Sequence, residues 1–246
     1  MRKFLTLLKI EGKLTLRCPD VIIFGVGMPA GVLCLIAVVA GNSLATGSSY
    51  TFLQSSFAAL LTVGICATSF MGLPLTFADY RDKKILKHFF VTPVSPMLML
   101  LVQVCLGMLT AIFSAIIIVI LSVTLFQYQM VGNILYFIAS FLLVMISMFS
   151  IGMLVSSLCK TVKMTNVVTT FIYFPMLFLS GATIPFEMFP KAVQNIANIL
   201  PLTHGIKLLK SVSLGIYNEQ LWVSVFLLIA FALVGCILSV VLFKWE

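Results

Sequence analysis

Two uncharged stretches decide what this chain can fold into. Val21 to Ala78 holds no Asp, Glu, Lys or Arg in 58 residues, and Phe89 to Cys159 holds none in 71. A bilayer core takes about 20 apolar residues per helix, so each stretch accommodates two spans and a short turn. A soluble domain carries roughly 25% charged residues, whereas this chain carries 9%, with 61% hydrophobic. The composition is that of a multi-pass membrane protein. The net charge of +8 is placed beside the apolar runs, so it does not indicate nucleic acid.

Between the two stretches lies Asp79–Pro96, the charge cluster that must sit in water between two helical hairpins. On a helix over 82–90, Ile85, Leu86, Phe89 and Phe90 share one face, with Lys83, Lys84, Lys87 and His88 opposite. Asp82 stands where an N-cap acceptor would, and Pro93 and Pro96 stop the helix. Such a helix suits a groove on a partner or a lipid surface. The same residues also suit a plain basic loop snorkelling at headgroups.

The remaining elements follow in order. Residues 1–19 read as an amphipathic helix in the membrane plane. Its basic residues Arg2, Lys3, Lys9, Lys13 and Arg17 fall in a sector of about 120°. Charged and apolar residues interleave there, so a cleavable leader is not expected. Spans are expected at 21–40, 51–77, 97–125, 134–157, 164–183 and 221–243. Gly27 and Gly31 give a small-xxx-small spacing for helix packing in the first, and Pro29 a kink. Pro185, Pro190 and Pro201 break 185–215 into a hairpin of two short helices, since proline ends a helix. Phe186 lies at its start. With both termini inside, twelve Lys and Arg face the cytoplasm and three (Lys191, Lys207, Lys210) face outward, which is the positive-inside pattern. The expected fold is all-α, with six transmembrane helices in a single 1–246 permease domain.

The missing chemistry narrows the function. The expected spans contain no Asp, Glu, Lys, Arg or His, which argues against a proton-coupled pump. His88 and His204 lie outside the spans and read as interfacial or packing residues. The six cysteines are scattered without a CxxC, so neither a disulfide framework nor a metal site is expected. No phosphate-binding loop of the G-x-x-x-x-G-K-[ST] type occurs. The chain is not expected to be an enzyme or to hold a cofactor, and ATP hydrolysis would belong to another polypeptide.

Four features together resemble the ABC type-2 exporter permeases. They are the basic N-terminal helix and the segment Lys87-His-Phe-Phe-Val-Thr-Pro-Val-Ser95 after the second span. They include six spans with both ends inside. The fourth is Phe178-Leu-Ser-Gly-Ala-Thr-Ile-Pro-Phe-Glu-Met-Phe-Pro190, followed by Asn198-Ile-Leu-Pro-Leu-Thr-His204. The resemblance implies an inner-membrane permease paired with a second permease subunit, as a homodimer. Two cytoplasmic ABC ATPase subunits holding ATP and Mg would bind beneath. The helix after the second span would be a coupling helix, with Ile85, Leu86, Phe89 and Phe90 as apolar anchors and Asp82, Lys83, Lys84 and Lys87 setting register. The cargo would be amphipathic or hydrophobic: a drug, a peptide or a lipid-linked molecule. The alternatives are a channel or secondary transporter working without an ATPase, and a non-transporting immunity or signalling subunit.

Overall fold

The computed structural model describes residues 2–15, 23–40, 51–85, 96–182, 186 and 189–242, nearly all of them helical. Helix α1 (Arg2–Thr15) lays Phe4, Leu7 and Leu8 against Leu98, Val102 and Leu106. A π-helical turn, Ile23–Gly27, leads into α2 (Met28–Ala40). The next helix is continuous from α3 (Phe52–Ala67) through a π-turn at Thr68–Gly72 into α4 (Leu73–Asp82). Thr51 and Gln54 form a reciprocal capping box at its start, satisfying two otherwise orphaned backbone donors. Helices α5 (Pro96–Phe126) and α6 (Ile134–Leu158) follow, then α7 (Val162–Leu179). Two short helices, α8 (Lys191–Ala197) and α9 (Pro201–Leu214), precede α10 (Glu219–Leu242).

Among the described residues, five stretches are long and apolar enough to cross a membrane: Leu53–Asp82, Leu98–Phe126, Ile134–Leu158, Val162–Leu179 and Glu219–Leu242. The apolar part of the expected first span is shorter, Gly25–Val39. The α3–α4 helix is the hub of the bundle. Phe57, Leu61, Ile65, Phe70 and Phe77 are all buried, whereas α5 and α10 turn Phe113, Ile120, Phe226 and Val241 outward. Outward apolar side chains on spanning helices meet lipid at no cost, so contacts between such helices rest on close fit instead. Here small residues supply the fit. A Cβ on Gly152 of α6 would lie 2.3 Å from the Ser69 carbonyl oxygen, and one on Gly235 of α10 would lie 3.0 Å from Ser150. Further along the α6–α10 seam, the Ser157 and Ser239 hydroxyls are 3.2 Å apart.

Between Leu179 and Glu219 the chain forms two helices rather than one. Pro190 precedes the first and Pro201 opens the second, a position where proline's missing N–H costs nothing. Helix α9 is sunk among the longer helices: Leu202, His204, Ile206, Leu208, Leu209 and Val212 are all buried. It ends at Gly215, whose φ of +72° is one that glycine adopts freely. The turn between α5 and α6 lies on this end, where the Val131 and Gly132 N–H groups donate to the Ser213 carbonyl at 3.2 and 3.1 Å.

Candidate functional site

The central helix ends in Asp79-Tyr80-Arg81-Asp82, and each of the last three side chains reaches a different neighbour. Arg81 donates through Nη1 to the Ser156 carbonyl at 2.7 Å and also to the Cys159 carbonyl. These carbonyls close α6, where the last turn lacks intrahelical donors and the helix dipole is negative. Hydrogen bonds from a charged donor of this kind contribute about 1.5–3 kcal/mol. The Asp82 carboxylate accepts from the Val162 N–H at 3.0 Å. Val162 opens α7, so its N–H is an orphan at a positive helix end. Two adjacent residues of opposite charge thus hold both ends of the α6–α7 turn. The Asp79–Lys83 pair, at 2.8 Å and well exposed on both sides, adds at most about 0.5 kcal/mol.

Tyr80 turns the other way. Its hydroxyl donates to the Glu11 carboxyl, and Gln103 Nε2 donates to Glu11 at 2.8 Å and to the Tyr80 oxygen at 3.1 Å. All three residues are buried. A carboxyl inside an apolar contact is costly unless its oxygens are bonded, and here it joins α1, α4 and α5.

The placement differs from the expected one. Asp82 does not open a new helix; it is the last residue of α4, which runs past the expected end at Phe77. The extra length is held by partners on four other helices. The helix then stops at Lys83–Lys84, where Lys84 has a φ of +55°, a left-handed conformation uncommon for a residue with a Cβ. Ile85 packs, half-buried, beside Tyr80 and Met99. Leu86, Lys87, Phe89 and Phe90 lie outside the described residues, as does Pro185.

Helix packing is likewise shifted along the first span. A Cβ on Gly31 would meet nothing within 4 Å, and Gly27 is exposed, whereas one on Gly25 would lie 2.8 Å from Thr68. In an α-helix the Gly25 carbonyl would accept from residue 29, which is Pro29 and has no N–H. Ser114 Oγ donates to that carbonyl at 2.7 Å. The proline expected to kink the span thereby creates its polar contact with α5.

At the opposite end of the bundle, Lys207 sits 3.9 Å from the Phe186 ring centre and 2.6 Å from Asn198 Oδ1. Gln194 Nε2 donates to the Phe186 and Phe189 carbonyls at 3.4 and 2.9 Å. His204 lies between the Asn198 carbonyl, 2.8 Å from Nε2, and the Ser224 hydroxyl, 3.2 Å from Nδ1. Burial pushes its pKa below the ordinary histidine value, the Asn198 carbonyl opposes this, and the Lys207 charge adds to the lowering. A lowered folded-state pKa means that stability is full above the unfolded value, about 6.5, and is lost as pH falls below it. Thermal unfolding in detergent should therefore show a larger loss on going from about pH 8 to about pH 5 for the wild-type chain than for His204→Gln. Equal losses would place the pH sensitivity elsewhere.

Residues 2–214 match the protein family described as ABC-2 type transporter. The chain belongs to this family. The ABC-2 permease is 27% identical over 225 residues to "Nodulation protein J" of Rhizobium meliloti, covering 92% of this chain and 83% of the relative. It is 26% identical over 173 residues to "Probable multidrug ABC transporter permease YbhR" of Escherichia coli K12. That match takes in 68% of this chain and 46% of the relative, so the chain spans about half of YbhR. "Inner membrane transport permease YhhJ" of Escherichia coli K12 is 22% identical over 133 residues, 54% of this chain and 36% of the relative. In the ABC-2 permease, sequence reasoning did not single out Glu11, Tyr80 or Gln103 as members of one network. One signal was available: Glu11 falls at the centre of the face formed by Phe4, Leu7 and Leu8, opposite the basic sector. Arg81 offered no such signal, because its partners are backbone carbonyls 75 and 78 positions away.

Proposed function

We propose that this chain is the membrane permease of an ATP-driven exporter, moved by separate cytoplasmic ATPase subunits. The observation that carries this reading is the junction at Tyr80-Arg81-Asp82. It joins the end of the central helix to α1, α5, α6 and α7. A load applied just beyond it, on residues 82–90, reaches four other helices through hydrogen bonds. The charged end faces the cytoplasm of the inner membrane, a placement supported by the positive-inside pattern. Two copies pair, and each presents Ile85, Leu86, Phe89 and Phe90 to a groove on its ATPase, with Asp82, Lys83 and Lys87 at the rim. ATP and Mg act on the partner, where closure of two ATPase subunits selects one arrangement of the docked permeases. The hairpin containing Phe186, Pro190 and Pro201 closes the far side.

The cargo is amphipathic or hydrophobic, consistent with spans that carry charged side chains only near their ends. The word "multidrug" in the name of YbhR points to the same class. The test is co-expression with the ATPase encoded nearest to this chain, followed by purification through a tag on the permease. The wild-type pair should co-purify and hydrolyse ATP only together. An apolar anchor at the centre of such an interface is worth about 2 kcal/mol or more, so Phe89→Asp should weaken association by about 30-fold or more. Unchanged association and hydrolysis in Phe89→Asp would overturn the docking assignment. Uphill transport by the chain alone in liposomes would overturn the whole reading.

A further inference from the structure

We propose that Arg81 and Asp82 are positioning residues that make the α6–α7 turn move with the central helix, carrying a displacement of the docked segment to the fourth and fifth spans. This rests on the permease reading above and names the part through which the load passes.

The turn is short and would otherwise be free to lag. It contains Cys159, Lys160 and Thr161, and Lys160, Thr161 and Lys163 are exposed. On one side, Arg81 Nη1 binds the carbonyls of Ser156 and Cys159. On the other, Asp82 binds the Val162 N–H. The Thr161 hydroxyl accepts from the Met164 N–H at 3.3 Å, so the first turn of α7 is capped locally as well. Thr161 caps the Met164 N–H and leaves the Val162 N–H to Asp82. What the Asp82 contact adds is a bond between α7 and a residue 80 positions away. Arg81 and Asp82 are adjacent in sequence and grip opposite ends of two consecutive helices. A shift of α4 therefore pulls on both, whereas either contact alone would let the turn pivot. The hydrogen bonds are aimed at backbone groups, so their geometry depends on where the turn sits and not on which side chains it carries.

The structure also offers a way to cut one contact without disturbing the fold. Val162 is the first residue of α7 and Thr161 before it is extended, with φ −122° and ψ 152°. Proline is favoured at that first helical position and requires an extended residue before it. Val162→Pro removes the N–H that Asp82 binds and keeps an apolar side chain at the start of α7.

The experiment is hydrogen exchange, read by mass spectrometry, over residues 156–166 in the complete transporter with its ATPase, with and without ATP and vanadate. In the wild-type complex, trapping should change exchange of these amides by about threefold or more. Val162→Pro and Arg81→Met should abolish that change while the ATPase stays bound and hydrolyses ATP within about twofold of wild type, and Asp82→Ala should abolish it in whatever complex still forms. Asp82→Asn keeps an acceptor oxygen and should retain the response. A merely structural role would alter assembly and leave the nucleotide response alone. A response that persists in Val162→Pro and Asp82→Ala, or one absent from a wild-type complex that hydrolyses ATP, overturns the proposal. If no ATPase joins the wild-type chain, the permease reading falls, and the tether is judged on the chain alone. There, loss of the Asp82 bond should speed exchange across 162–166 by about tenfold, and an unchanged rate would overturn it.

Discussion

Gly152→Leu is expected to yield no correctly folded permease. The Cβ alone would stand 2.3 Å from the Ser69 carbonyl oxygen of the central helix, and backbone cannot yield as a flexible side chain can. The two helices would have to part along the contact that buries Phe70, Met148 and Phe149. Overpacking of this kind costs about 1–3 kcal/mol for a few extra methylenes in a soluble core. A clash with backbone in a membrane bundle, where close fit is the main attraction between helices, lies at or beyond the top of that range. The measurement is the yield of a single symmetric peak in detergent by size exclusion, with the wild-type chain alongside. Gly31→Leu is the control, because a Cβ there meets nothing within 4 Å; this variant should elute and unfold like wild type. Equal behaviour of the two variants would mean that α6 does not pack this closely on the Thr68–Gly72 turn of the central helix.

The second large effect is expected at the buried carboxyl. Tyr80→Phe and Gln103→Leu together remove both side-chain donors that reach Glu11. Leaving a buried polar group unsatisfied costs about 1–3 kcal/mol, and more if it is charged. The double variant should therefore lose several degrees or more in thermal unfolding. Removing the carboxyl as well, as Glu11→Leu in the same background, should restore most of the loss, since replacing all partners with apolar groups is nearly neutral. The sign of that third substitution is the decisive reading. If Glu11→Leu damages the double variant further, Glu11 serves a different contact. The three residues sit within one network, so their effects should not add.

Much of the architecture could be read from where charge is absent. The uncharged runs set the longest helices, and prolines at 190 and 201 set the breaks around α8 and α9. The site was less legible, for a physical reason. Sequence patterning reports which face of a helix is apolar, but Arg81 and Asp82 act on backbone groups whose own side chains carry no sign of it. The helix end was expected at the first charge, near Phe77, because a charged side chain is costly in lipid. Partners at the ends of α6 and α7 allow α4 to continue to Asp82. The glycines show the same limit. Gly27 and Gly31 have the familiar spacing, yet the close contacts fall at Gly25 and Gly64. Close approach depends on what stands opposite, here Thr68 and Ser114, and neither spacing nor composition encodes the opposite helix.

The π-turn at Thr68–Gly72 bears on how this chain tolerates a change of length. A wider turn accommodates one surplus residue within an otherwise regular helix. Elsewhere in the helix, losing a single residue would swing everything downstream by about 100° around the axis. A sister protein one residue shorter within this wide turn would keep its two halves in phase, still presenting Tyr80, Arg81 and Asp82 to the same neighbours.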